Sequence, residues 1–174
     1  MNEQELASAK ELINTWKDRM ITLERVNKLQ AKSASKASEL EQLKATMKSQ
    51  EALFKKRVLE ETADLQAKQR DLKEFEARNA LSLKTDVDLK EAIEKAAETR
   101  KASIQEASRK LEETKEEQAK TLGELAEDIR QNEEAFAALT KETKELMYNQ
   151  FYYPVSFVQD FNVQPATLEA MALI

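Results

Sequence analysis

The chain reads as an all-α protein built from long coiled-coil helices, with a short aromatic module after them. Three observations lead there. Turn-forming residues are nearly absent, with one glycine (Gly123) and two prolines (Pro154 and Pro165) in 174 residues, whereas a compact domain needs such residues at its turns. Ala, Glu, Lys, Leu and Gln are abundant, which is the composition of long helices. Apolar residues also recur in alternating steps of three and four from Leu6 to Leu146, the spacing that keeps one helical seam apolar. Charged residues make up 35% of the chain, so disorder is the competing reading; the periodicity weighs against it.

The first helical segment is expected over residues 3–79. Leu6, Ile13 and Met20 share one seam position, and Ala9, Trp16 and Leu23 share the other. The same register continues through Asn27, Gln30, Ala34 and Ala37, which bury little apolar surface. A second register starts at Leu40 and runs through Leu43, Met47, Gln50 and Phe54. The step from Ala37 to Leu40 is three where four is due, which is a stammer in a continuous helix. Val58, Leu65, Leu72 and Phe75 extend the stripe sparsely.

Residues 80–86 form the expected break. Leu81, Leu83, Val87 and Leu89 alternate with a period of two, which does not suit one face of a helix. Thr85, Asp86 and Asp88 are good N-cap residues, and Thr85/Asp88 and Asp88/Glu91 have capping-box spacing. The second segment, 87–151, carries the stronger stripe. Ile93, Ala97, Arg100, Ile104, Ala107, Leu111, Thr114 and Gln118 keep the alternation. Leu122, Leu125, Ile129, Asn132, Phe136, Leu139, Thr143 and Leu146 keep it in a shifted frame. Two steps of four meet between Gln118 and Leu122, a stutter beside Gly123.

Past Leu146 the composition changes. Six of the ten aromatic residues are Tyr148, Phe151, Tyr152, Tyr153, Phe157 and Phe161. Pro154 disfavours helix at Tyr153, so the helix is expected to end by about 152. Pro165 suits the first turn of a short final helix, with Leu168 and Met171 on its apolar side. Residues 152–174 thus read as a docking tail, with Tyr148, Phe151, Tyr152, Tyr153, Phe157, Phe161, Leu168 and Met171 as partner-docking residues. Aromatic side chains are favoured as interface anchors. The tail either docks on another protein or caps the chain's own helices.

Net charge is −5, unevenly spread. Residues 25–57 hold nine basic and three acidic side chains, and residues 101–147 hold eight basic and twelve acidic. A chain folding back near residue 82 lays the basic section along the acidic one. Residue 30 then faces 134, 55 faces 109, and Trp16 approaches Tyr148. Two chains lying antiparallel pair their charges in a similar way. The basic section could also meet an anionic surface, but with Phe54 as its one aromatic it lacks the interleaving of a single-strand binder, which makes a nucleic-acid partner unexpected.

Histidine and cysteine are absent, which removes the commonest general base, the thiol nucleophile and the ligands of zinc sites. One glycine cannot build a phosphate loop. Carboxylate neighbours such as Glu112, Glu116 and Glu117 have the spacing of a solvated helix face, and carboxylate catalysis needs a concave, dry site. We expect no catalytic residue, metal or cofactor. No apolar run is long enough to span a bilayer, and the acidic first residues lack the pattern of a signal peptide, so an intracellular setting is expected. The function expected of this architecture is structural: a spacer, scaffold or docking subunit of a cytoskeletal, axonemal or kinetochore-like assembly, pairing through coiled coil as a homo- or hetero-oligomer. A regulatory or adaptor module recognising its partner through the tail is the second reading.

Overall fold

The structure is a computed structural model that describes residues 2–151, the last three as backbone only. Two helices account for almost all of it: α1, Glu3–Thr85, and α2, Val87–Phe151. No strand occurs among the described residues. α1 continues six residues past the expected 3–79 segment, and Asp86 is the one non-helical residue between the helices.

Both helix starts are capped by side chains. Asn2 and Glu5 form a reciprocal capping box: Asn2 Oδ1 accepts from the Glu5 N–H at 2.8 Å, and Glu5 Oε2 accepts from the Asn2 N–H at 2.9 Å. These bonds satisfy donors that the helix itself leaves unpaired. At α2, Asp86 Oδ1 accepts from the N–H of Asp88 at 3.1 Å and of Leu89 at 3.4 Å. Among the candidate caps, Thr85 is engaged elsewhere, because its hydroxyl donates back to the Leu81 carbonyl at 2.9 Å. The Asp86 N–H donates to the Ser82 carbonyl at 3.0 Å. One residue therefore closes α1 and opens α2. The period-two alternation around it is not strand: Leu81, Val87 and Leu89 are exposed.

The described chain divides into two units. The first joins Met1–Leu43 to Asp128–Ile174, and the second is Lys44–Glu127. In the first unit the helices run antiparallel, with Arg25 bound to Glu142 at 2.9 Å and Lys36 donating to Asn132 Oδ1 at 2.9 Å. The core here holds Leu23, Val26, Leu29, Leu40, Thr143 and Met147. In the second unit the chain reverses at Asp86. Arg57 meets Glu117 at 2.9 Å and Arg100 meets Asp71 at 3.0 Å. Phe54, Ile93, Ala107, Leu111 and Thr114 are buried there.

These contacts correct the expected pairing. Folding at residue 82 sets 30 against 134 and 55 against 109, whereas the observed pairs are 36 with 132 and 57 with 117. Each residue by which an antiparallel turn moves shifts the facing partner by two. The observed partners are displaced from the residue-82 pairing by four residues at Lys36, about one helical turn, and by ten at Arg57, nearly three turns.

The expected register of α1 also needs correction. Gln30 and Ala34 are exposed, while Val26 and Leu29 are 2% and 7% exposed. The register that begins at Leu40 in the sequence reading extends back through Lys36, Ser33, Leu29 and Val26. The change of frame falls between Leu23 and Val26 rather than between Ala37 and Leu40. The thin Ala/Ser stretch lies within one unbroken helix. In α2, by contrast, every position of the expected stripe from Ile93 to Leu146 is buried or half-buried.

Candidate protein-interaction surface

The seam positions show which apolar side chains the helix pair covers and which it leaves open. Leu23, Leu40, Phe54 and Leu111 are buried. Trp16, Met20, Leu43, Met47, Ile104, Leu122, Leu125, Ile129, Phe136, Leu139 and Leu146 are half-buried. Leu6 and Ile13, expected in the core, are 47% and 53% exposed. The reason is register. Nine residues before Arg25 is Trp16, and nine after its partner Glu142 is Phe151, the last residue of α2. The first turns of α1 therefore extend beyond the level at which α2 ends. Leu12, beside Ile13, is also exposed.

At the same end of the pairing, on α2, Tyr148 is 63% exposed. Of the remaining residues expected to dock a partner, Phe151 is described as backbone only, and Tyr152, Tyr153, Phe157, Phe161, Leu168 and Met171 lie outside the described residues. In the first unit a groove of about 440 Å³ on α2 is lined by Phe136, Ala137, Thr140, Lys141, Lys144 and Glu145. In the second unit a smaller cavity lies between the helices beside Phe75, Leu83, Ile93 and Ala97.

Polar groups on the seam are handled in three ways. Lys36, half-buried, divides its ammonium between Asn132 Oδ1 and Glu39 at 2.8 Å. Arg100 lays its guanidinium 3.9 Å over the Phe75 ring while Nε donates to Asp71, so a charge at a seam position gains both a cation–π contact and an ion pair. Thr143 Oγ1 donates to the Leu139 carbonyl at 2.8 Å. Thr114, fully buried, has no hydrogen-bond partner for its hydroxyl, and Glu61 Oε2 is buried without one. The other Glu61 oxygen accepts from Arg57 Nε at 3.2 Å. Glu61 follows Arg57 by one turn and Thr114 precedes Glu117 by one turn, so the antiparallel pairing sets both at the same level.

The carboxylates behave as surface charges. Glu112 pairs with Lys115 at 2.9 Å, Glu117 with Arg57, and Glu106 and Glu113 flank Arg109. The Arg109 hydrogen bond holds the exposed Glu106 carboxyl below its ordinary value, and Glu106 in turn raises Arg109. Hydrogen bonds to Glu117 and then Glu61 raise Arg57. Among the described residues no group of three or more acidic side chains is placed to hold a metal ion, and no helix is long and apolar enough to cross a membrane. Compared with known protein families, curated proteins and solved structures, the chain matches none.

Proposed function

We propose that the chain is a non-enzymatic scaffold: a coiled-coil helical hairpin that spaces components of a larger protein assembly of cytoskeletal, axonemal or kinetochore-like type. The observation that carries this is the covering of the α1 seam by α2 within each unit, with ion pairs drawn from the basic section of α1 and the acidic section of α2. Attachment to other proteins falls at the end of α2, where Tyr148 is exposed. The aromatic tail, with Tyr148 in the last turn of α2 and Tyr152 and Tyr153 following that helix in the sequence, is the docking element, and the setting is intracellular.

Binding to an anionic surface through residues 25–57 has less support, because Arg25, Lys36 and Arg57 are spent on α2. Sedimentation with light scattering on the full chain tests the scaffold reading. We expect an extended particle of monomer mass, 19.9 kDa, that keeps its helix content when residues 148–174 are deleted but loses attachment to its assembly. A compact monomer, or collapse of helicity on deletion, would overturn it.

A further inference from the structure

We propose that the open stripe of α1, Leu6, Leu12, Ile13 and Trp16, is the docking surface for the chain's own residues 157–171. This rests on the helical-hairpin reading above and divides the tail's work. Phe157, Phe161, Leu168 and Met171 cover α1 in cis, and Tyr148, Tyr152 and Tyr153 remain for the partner protein.

Four observations select this occupant. The stripe is apolar and open: Leu6, Leu12 and Ile13 are each about half exposed. It begins where α2 stops, since the Arg25–Glu142 pair sets Phe151 level with Trp16. The uncovered part of α1 runs from Glu3 to Thr15, a length of about 20 Å at 1.5 Å per helical residue. The 23 residues after Phe151 can reach about 70 Å when extended, so every part of the stripe lies within their span.

Charge contributes little to the contact. Residues 152–174 carry only Asp160 and Glu169, and residues 3–16 carry Glu3, Glu5, Glu11 and Lys10. Both surfaces are weakly acidic, so the attraction between them is apolar and added salt, which only screens a small repulsion, does not release it. A second copy is the rival occupant. The stripe is only two heptads long, and isolated helical pairings that short are marginal in water. A tethered segment competes at an effective concentration in the millimolar range, which favours the chain's own tail.

Trp16 is the only tryptophan and lies on the stripe, so its fluorescence reports on the contact. The experiment measures emission maximum and acrylamide quenching of the full chain, and of a Phe161→Asp, Leu168→Asp variant, over a hundredfold range of protein concentration. We expect blue-shifted, protected emission that does not change on dilution or in 1 M NaCl. In the variant the quenching constant should rise and the emission maximum shift to the red, as an indole loses its apolar cover, with helix content by circular dichroism unchanged. Protection lost on dilution would assign the stripe to a second copy and overturn the proposal. Equal quenching in the two proteins would overturn it as well. Neither outcome bears on hydrodynamic extension, so failure here is distinguishable from failure of the scaffold reading.

Discussion

Thr114 shows how much a single polar atom on the seam can matter. Its side chain is fully buried and its hydroxyl has no partner, and an unsatisfied buried hydroxyl costs roughly 1–3 kcal/mol. Replacing it with the isosteric valine removes that cost while keeping the volume. Thr114→Val should raise stability by about 1 kcal/mol in a thermal melt. Thr143→Val should gain less, because Thr143 already bonds to the Leu139 carbonyl. Equal gains would mean the hydroxyl bond is not what distinguishes the two sites. Glu106 supplies a pH-dependent case. Its carboxyl is held below the ordinary value of 4.5, first by its hydrogen bond to Arg109 and then by the Arg109 charge. A lowered carboxylate contributes stability above its unfolded value and loses that contribution as pH falls through the folded one. An NMR titration should place the Glu106 midpoint below 4.5, and Arg109→Gln should return it upward.

At the scale of the element, the joint at Asp86 is the most economical feature of the chain. One carboxylate caps α2, while Thr85, a stronger-looking candidate by capping-box spacing, turns its hydroxyl back into α1. Asp86→Ala should cost about 1 kcal/mol, and Thr85→Ala much less; chemical denaturation of both variants measures the difference. Gly123 is a second element-scale test. α2 runs through it without a break, and a Cβ added there meets nothing within 4 Å. Its cost is then one of backbone freedom, so Gly123→Ala should stabilise α2 by roughly 0.5–1 kcal/mol. The stutter beside it has a counterpart in α1, where Gln50, Phe54 and Val58 are spaced by two steps of four and are all at least half-buried. The Arg57–Glu117 pair sets the two frame shifts at one level. Two helices that drift by the same amount at the same height keep their seams facing.

Across the whole molecule the decisive quantity is the pairing register. Cysteine is absent, so introduced pairs report cleanly. Lys36→Cys with Asn132→Cys should crosslink within one chain through a short bifunctional thiol reagent, since the native side-chain tips meet at 2.9 Å. Gln30→Cys with Glu134→Cys, matched to a fold at residue 82, should not. The all-helical class, the stripe of α2, the Asp86 cap candidate and the opposed charge sections were legible in the amino-acid sequence because they depend on local composition and spacing. The buried Val26 and Leu29 were also legible in principle, by stepping back from Leu40 in threes and fours. They were hidden by a competing register running forward from Leu6. Local periodicity cannot choose between two such frames, because both are apolar on one side. Pairing does choose, since only the frame that faces α2 is buried. The exposure of Leu6 and Ile13 has the same origin. Their spacing identifies them as seam residues, and that much the sequence determined. Whether a seam residue is covered depends on where the partner helix ends, and in the first unit the Arg25–Glu142 register, which sets Phe151 level with Trp16, decided that in the tertiary structure.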